Sequence, residues 1–235
     1  MSFFPEPSTF LQIGSLSIKM YAICILTGAF ITLFVAQAKL VKMGYPKSIA
    51  EDLFFGALLS GIVGARLWYV LFYNLDTYLA NPISIFMTWN GGMAIQGGLM
   101  LGALYGYWFA RKRKVNFLRA ADAIVPAILL AQAAGRWGNF FNQEAYGRVV
   151  SEAYYNLFPS VIKNMMFIQG AFREPTFLYE SVLNVIGFFA ITYGLKHVMK
   201  VKRGDYFYGY LVWYGITRFI VESFRSDSLY VWGTF

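Results

Sequence analysis

LFFGALLSGIVGARLWYVLFY, residues Leu53–Tyr73, contains a single charged side chain, Arg66. A helix needs about 20 mostly apolar residues to cross the hydrocarbon core of a bilayer, and this stretch has that length. Five further segments have the same character: Met20–Ala38, Gly92–Ala110, Ala120–Gly135, Phe177–Leu195 and Tyr206–Glu222. The sequence therefore predicts an all-α, polytopic membrane helix bundle with six spans, formed by residues 1–235 as a single integral membrane domain.

The composition supports a membrane protein and excludes several other classes. Of the 235 residues, 58% are hydrophobic and 14% are charged, whereas soluble domains carry about 25% charged residues. An ordinary soluble globule and a disordered chain are both excluded. The single cysteine, Cys24, and the single histidine, His197, leave no internal disulfide and too few ligands for a cysteine- or histidine-based metal site. We therefore expect no metal and no other cofactor.

The net charge of +8 comes from short basic clusters between the apolar segments. A nucleic-acid-binding protein would instead gather these residues on one face of a soluble domain, so no nucleic-acid partner is expected. Loops 39–52, 111–119 and 196–205 are rich in lysine and arginine, whereas 74–91 has none and 137–176 has only three. Because basic loops stay in the cytoplasm, we expect the amino terminus and the extracytoplasmic segment 137–176 to lie outside.

Three arginines occur inside or at the ends of apolar segments: Arg66, Arg136 and Arg218. An arginine at mid-membrane costs about 2.5–3.5 kcal/mol on insertion scales, so these side chains should face a paired or hydrated interior. Glu222 lies four residues and Arg225 seven residues after Arg218, on the same helical face. This pattern fits a structural ion pair at a helix end. It also fits an anion site in which Glu222 orients an arginine to bind phosphate.

The densest polar cluster is residues 135–148, GRWGNFFNQEAYGR, which begins where the fourth predicted span ends. Glycines here permit sharp turns, two asparagines and a glutamate offer donors and acceptors, and arginines flank the group. A plain loop leaving the membrane would not need so many polar side chains among aromatic ones. We interpret this segment as part of a functional site on the outer side.

The cluster closely resembles the signature of the prolipoprotein diacylglyceryl transferase family through Arg136–Glu144 (RWGNFFNQE) and Gly147. Other blocks resemble the family in the same order: Met20–Tyr21, Gly64–Val70, Gly91–Gly98, Pro175–Glu180 and Arg218–Glu222. The resemblance extends from about residue 15 to residue 228. Chance does not explain several long matching blocks in the same order.

The resemblance implies a multi-pass enzyme of the bacterial plasma (inner) membrane. Such an enzyme transfers the diacylglyceryl group of phosphatidylglycerol, a membrane lipid, to the thiol of the lipobox cysteine in a prolipoprotein signal peptide. A thioether forms and glycerol 1-phosphate leaves, in the first step of lipoprotein maturation. The reaction is expected near the outer face, which agrees with the side that the charge pattern predicts for residues 137–176.

The resemblance also implies which residues form the site. We expect Arg136, Arg218, Tyr21 and Glu144 to be catalytic, the two arginines by stabilising charge that develops on the leaving phosphate. Glu144 would orient Arg136 or bind a head-group hydroxyl, and Tyr21 would donate a hydrogen bond to the ester region. Expected substrate contacts are the following: Arg66, Gln96, Arg136, Asn139, Asn142, Gly147, Tyr179, Glu180 and Glu222.

Some of these contacts have specific expected roles. Asn139 and Asn142 would hold the glycerol hydroxyls or the phosphate. Arg66 would be a further phosphate contact or the buried partner of a carboxylate. Tyr179 and Glu180 would line the same cavity, at the outer end of the fifth predicted span.

Three features depart from the family pattern. Gln96 and Glu174 stand where many members have histidine, and glutamine cannot accept a proton at neutral pH. We therefore expect electropositive surroundings to activate the thiol, because they lower the pKa of a cysteine, with Glu144 or Tyr21 as proton acceptor. The family usually has seven spans, whereas this chain ends at residues 228–235, where a seventh would begin.

Two other classes compete with the enzyme. A transporter or channel for an anionic solute would need charged residues along a path through both leaflets, whereas the polar residues here gather toward the outer side. A non-catalytic assembly or scaffold protein would not need a dense polar segment such as 135–148. Only the enzyme would attach lipid to a lipobox peptide.

Overall fold

The computed structural model describes residues 8–13, 16–73, 75–88 and 91–224, most of which are helical. The helices are α1 (Met20–Lys42), α2 (Lys47–Tyr73), α3 (Leu75–Ala80), α4 (Ile95–Lys112), α5 (Phe117–Asn142), α6 (Ser160–Met165), α7 (Thr176–Phe189), α8 (Leu195–Val198) and α9 (Asp205–Phe224). A π-helical turn at Ala190–Gly194 joins α7 to α8. Five predicted spans coincide with one of the longer helices, and the sixth, Phe177–Leu195, falls on the continuous helical stretch from α7 to α8, so the all-α membrane architecture is confirmed.

The smaller elements lie at the amino terminus and between the long helices. Strands β1 (Thr9–Ile13) and β2 (Leu16–Lys19) form an antiparallel pair directly before α1. Short 3₁₀ helices occupy Pro82–Phe86 and Glu152–Tyr155. A second antiparallel pair, β3 (Phe167–Ile168) and β4 (Ala171–Phe172), precedes α7.

Four of the described helical stretches are long and apolar enough to cross a membrane: Met20–Lys42, Lys47–Tyr73, Phe117–Asn142 and Thr176–Val198. The chain is therefore a multi-pass membrane protein. Helices α4 and α9 coincide with the two other predicted spans and have 18 and 20 residues. The count of six spans and the outside position of the amino terminus stay predictions. Residues 225–235, which include Arg225 and the start of any seventh span, lie outside the described residues.

The length of α5 differs from the prediction. The predicted span ended at Gly135, with a turn-rich exit segment after it, yet α5 continues to Asn142. Gly138 adopts helical backbone and serves close packing instead of a turn: a Cβ added there would lie 2.6 Å from Cδ2 of Tyr21. The non-helical part of the predicted segment 137–176 thus begins only at Gln143.

The described chain divides into two compact units. In the unit Ala36–Ala121, helices α2 and α4 pack at short range through Gly64 and Gly97. A Cβ added at Gly64 would lie 2.3 Å from the carbonyl oxygen of Gly97. Small residues let membrane helices approach closely, so packing explains the small residues at this crossing.

The other unit contains the remaining described residues, and its main helices are α5, α7 and α9. Ser181 Oγ on α7 donates to the carbonyl of Ala133 on α5 at 3.1 Å. The buried carboxylate of Asp122 accepts the backbone amides of Gly204 (2.6 Å) and Phe207 (3.0 Å). Since the first N–H groups of a helix have no partner within the helix, Asp122 supplies one for α9 from a distant part of the sequence.

The segment between α5 and α7 has a small apolar core. Its buried members are the following: Phe140, Tyr155, Met166, Ile168 and Phe177. Burial raises the pKa of the Tyr155 phenol, and the neighbouring Tyr154 and Glu174 raise it further. The hydroxyl therefore keeps its proton and donates to the carbonyl of Arg173. This core holds the segment against the ends of α5 and α7 that carry Phe140 and Phe177.

Candidate active site

The centre of the candidate site is the carboxylate of Glu180 on α7, which is 1% exposed. It pairs with Arg136 on α5 (Nη2 to Oε1, 2.7 Å) and with Arg218 on α9 (Nη1 to Oε2, 3.2 Å). Arg218 also donates through Nη2 to Glu222, one turn further along α9. The structure thus brings together the two expected catalytic arginines and two expected substrate contacts. We call these four residues the ion cluster.

The charges of the ion cluster are complementary. A buried carboxylate without a partner would cost several kcal/mol, and the two guanidinium groups supply its counter-charge. The side chains of Arg136 and Arg218 nevertheless stay 21% and 27% exposed. A guanidinium has five N–H donors, so each arginine can face Glu180 with one edge and an anion with another. The arrangement can hold a phosphate between fixed positive charges.

A chain of hydrogen bonds links Arg136 to the polar segment after α5. Arg136 Nη1 donates to Asn139 Oδ1 (3.1 Å), and Asn139 Nδ2 donates to Glu144 Oε1 (2.8 Å). Asn142 Nδ2 donates to the same oxygen of Glu144 at 3.4 Å. Glu144 therefore reaches Arg136 through Asn139, and whether it orients Arg136 or binds a head-group hydroxyl stays a prediction. The exposed Glu144 carboxylate has further lone pairs for a ligand.

Tyr21 lies beside this stretch of α5. It stands in the first turn of α1, and its ring packs against Gly138. Gly138 directly precedes Asn139, so Tyr21 is adjacent to the part of α5 that carries Arg136. The phenol side chain is exposed, which leaves it available to a ligand.

Gly147 and Tyr179 belong to a second polar cluster, around the buried carboxylate of Glu174. Tyr179 Oη donates to Glu174 Oε1 at 3.2 Å and also shares a hydrogen bond with Tyr154. Arg148 Nε lies 3.2 Å from Glu174 Oε2. The amide of Gly147 donates to the Glu174 carbonyl at 2.9 Å. Substrate contacts by Gly147 and Tyr179 stay predictions.

Gly147→Ala is expected to lower the free energy of unfolding by about 1–3 kcal/mol, through overpacking. The added Cβ would lie 2.8 Å from Glu174 Cβ and 3.0 Å from the carbonyl oxygen of Phe224. Neither atom can rotate away, so the backbone must shift. Thermal unfolding of the purified protein measures the effect. Gly194→Ala is the matched control, because nothing lies within 4 Å of its added Cβ. Equal unfolding temperatures for the two variants would contradict the close packing at Gly147.

An apolar groove of about 570 Å³ lies between α7 and α9. Its apolar lining is the following: Leu178, Val182, Leu183, Ile220, Val221 and Phe224. Glu174 and Tyr179 contribute the polar part of the lining. The groove offers an apolar surface on the same two helices that carry Glu180 and Arg218.

In the unit Ala36–Ala121, Arg66 is buried and its partners are backbone carbonyls. Its guanidinium donates to the following carbonyl oxygens: Ile85 (2.7 Å), Gly91 (2.6 Å), Gly92 (2.8 Å), Ser84 (2.6 Å) and Met87 (3.4 Å). The ring of Tyr78 lies 5.0 Å from its Cζ. These bonds engage the donors of the group, and a contact of Arg66 with a phosphate or a carboxylate stays a prediction. Arg66 holds residues 84–87 and the Gly91–Gly92 pair in place.

Arg66→Lys is expected to lower the free energy of unfolding by about 2–3 kcal/mol, since a lysine has three donors without the planar fork and leaves some of these partly buried carbonyls unpaired. Thermal unfolding is again the measurement. Arg113→Lys is the matched control, because Arg113 makes an exposed ion pair with Asp52 at 2.8 Å, and such pairs contribute about 0–1 kcal/mol. If Arg66→Lys lowers the free energy of unfolding no more than Arg113→Lys does, only the positive charge is needed at position 66.

Gln96 lies in the first turn of α4, after the loop that Arg66 holds. Gly91 and Gly92 in that loop have φ angles of 85° and 79°, which favour glycine. A Cβ at Gly92 would also lie 2.5 Å from Nη1 of Arg66. The Gly91–Gly92 pair is therefore explained by loop geometry. The side chain of Gln96 is exposed, and its contact with substrate stays a prediction.

Asn184 is a buried polar residue that the sequence pattern did not mark as functional. Asn184 lies four residues after Glu180 on α7 and is 0% exposed. The signal was present as a single amide within the otherwise apolar run VLNVIGFF. A polar residue there is costly unless it has a partner, by the same argument that marked the arginines.

Comparison with known proteins gives one consistent family. The profile of the prolipoprotein diacylglyceryl transferase family matches residues 8–235. The phosphatidylglycerol–prolipoprotein diacylglyceryl transferase of Streptococcus agalactiae serotype Ia is 43% identical over 224 residues, which cover 95% of this chain and 86% of that protein. Proteins with the same name from Streptococcus suis (43% over 223 residues, 93% and 81%) and Streptococcus pneumoniae (41% over 223 residues, 95% and 84%) are similar. The chain belongs to the prolipoprotein diacylglyceryl transferase family.

Proposed function

We propose that this protein transfers the diacylglyceryl group of phosphatidylglycerol to the thiol of a lipobox cysteine in prolipoprotein signal peptides. The product is a thioether, glycerol 1-phosphate leaves, and the reaction is the first step of lipoprotein maturation. The site of action is the outer side of the bacterial plasma (inner) membrane. The observation that carries the proposal is the meeting of Arg136 and Arg218 at the buried Glu180 carboxylate.

The ion cluster suits the chemistry of this transfer. The thiol sulfur forms a bond to an sp³ carbon of the diacylglyceryl group, and the bond from that carbon to the phosphate oxygen breaks. The electron pair goes to the phosphate oxygen, so negative charge grows there in the transition state. Arg136 and Arg218, held in advance by Glu180, stabilise this charge without reorganisation. Glu222 orients Arg218, as the hydrogen bond between them along α9 supports.

The surrounding residues bind and orient the substrates. Asn139 and Asn142 hold hydroxyls of the glycerol head group, and Tyr21 donates to the ester region. The thiol proton passes to Glu144 or Tyr21, because Gln96 cannot accept it. Gln96, Gly147 and Tyr179 contact the lipid or the peptide. The apolar groove between α7 and α9 suits an acyl chain, since its lining is almost wholly hydrocarbon.

The test is a transfer assay with purified protein, phosphatidylglycerol labelled in its acyl chains and a fluorescent lipobox peptide. We expect a labelled, more hydrophobic peptide and release of glycerol 1-phosphate. A peptide with serine in place of the lipobox cysteine is the control and should stay unmodified. Anion flux into vesicles without peptide modification would favour a transporter or channel instead. Binding of the peptide with neither lipid modification nor anion flux would favour a scaffold.

A further inference from the structure

The side-chain amide of Asn184 is fully buried, and neither Oδ1 nor Nδ2 has a hydrogen-bond partner among the described residues. A buried donor or acceptor left unpaired costs about 1–3 kcal/mol. Buried polar groups in native proteins are nearly always bonded to protein groups or to ordered water. The position of Asn184 therefore requires a partner that the described protein groups do not provide.

The register of α5 against α7 shows what lies opposite. The rings of Phe140 and Phe177 are 4.5 Å apart between centroids, and Leu129 shares an apolar cluster with Phe188. The two helices are therefore antiparallel, and positions between these contacts face each other in reverse order.

By this register Gln132, one turn before Arg136, lies at the level of Asn184, one turn after Glu180. Gln132 Nε2 donates to Tyr210 Oη at 3.1 Å, while its buried Oε1 has no partner among the residues that the structure describes. At this level each of the two helices therefore carries an amide with unpaired hydrogen-bonding atoms, one helical turn from Arg136 and from Glu180.

We infer that Asn184 and Gln132 bind an internal water one helical turn away from the ion cluster, and that this water donates a hydrogen bond to Glu180. A buried water makes about three hydrogen bonds, and these three side chains supply the partners. Asn184 is then a positioning residue that acts on Arg136 and Arg218 through the water and Glu180. The inference rests on the proposed function, because the position that it fixes is that of the phosphate-binding arginines.

Asn184→Thr and Asn184→Val form the decisive pair, because threonine and valine differ by a hydroxyl in place of a methyl group. Threonine can bind the water and valine cannot. We expect N184V to lower kcat about 10-fold, since small misplacements of catalytic groups have effects of this size or larger. KM for phosphatidylglycerol should change less than twofold, and N184T should keep at least a third of the wild-type kcat. Equal kcat values in the two variants would overturn the inference.

Thermal unfolding of the same pair is independent of activity. If a water is bound, N184V loses it, and Gln132 and Glu180 lose a hydrogen-bond partner. N184V then unfolds at a lower temperature than N184T. If no water is bound, removing an unpaired amide must make N184V the more stable variant, which would refute the inference. A wild-type protein that fails to modify the peptide would refute the proposed function, and the unfolding comparison would still decide about the water.

Gln132→Met gives a second test that does not depend on the folding of N184V. Methionine has a similar shape but no amide, so Q132M should show the same selective loss of kcat. Because both side chains hold one water, the double variant should be at most twofold slower than the slower single variant. Unchanged kcat in Q132M, or effects that multiply in the double variant, would contradict a shared water.

Discussion

Glu180→Gln is expected to abolish measurable transfer, with a loss of at least about 100-fold, and to lower the free energy of unfolding by about 3–5 kcal/mol. Glutamine keeps the shape of the side chain but not its charge. Arg136 and Arg218 would then face each other with Glu222 as the nearest remaining counter-charge. Two guanidinium groups that no longer share a carboxylate repel each other and move apart. The phosphate site then loses its geometry as well as its stability.

The matched control for Glu180→Gln is Glu152→Gln. Glu152 makes an exposed ion pair with Lys163 at 2.6 Å, and a surface pair contributes about 0–1 kcal/mol. Initial transfer rates and thermal unfolding of both variants are the measurements. Full activity in E180Q would mean that the arginines are held by other contacts, and the central role of Glu180 would then be wrong.

The positions of the long helices could be predicted from the sequence because the bilayer fixes the length of an apolar run. The end of α5 could not. Glycine occurs both in turns and at close helix contacts, so Gly135 and Gly138 were compatible with either. The Tyr21 ring that packs against Gly138 shows that this glycine serves a close contact. Arg136 and Asn139 are consequently three residues apart on a helix, where one can hydrogen-bond the other.

The arginines could be recognised from their cost in an apolar environment, but their partners could not. Arg66 and Arg136 have the same signal in the sequence. Arg66 is satisfied by backbone carbonyls, which carry no residue identity and therefore leave no trace in a sequence pattern. Arg136 is satisfied by Glu180, which is distant along the chain. A buried charge predicts that a partner exists without indicating which kind.

Arg136→Lys and Arg218→Lys are each expected to lower kcat about 100- to 1,000-fold, the range measured when one donor to a developing oxyanion is removed. Lysine keeps the positive charge, so these variants test geometry and not charge alone. A single ammonium cannot bind Glu180 with one edge and a phosphate with another, as the planar guanidinium can. The transfer assay in single-turnover form separates this loss from product release. Arg113→Lys, outside the ion cluster, should keep the wild-type rate.

The two lysine variants should also differ from each other in stability, because the arginines have different numbers of carboxylate partners. Among the described carboxylates Arg136 pairs with Glu180 alone, and it is further held by Asn139, whereas Arg218 bridges Glu180 and Glu222. A lysine at 218 cannot span both carboxylates and leaves one of them short of a counter-charge. R218K should therefore unfold at a lower temperature than R136K, while both lose activity to a similar extent. If lysine restores wild-type rates at either position, the phosphate is recognised as a point charge, and the paired hydrogen bonds assigned to that arginine are not needed for transfer.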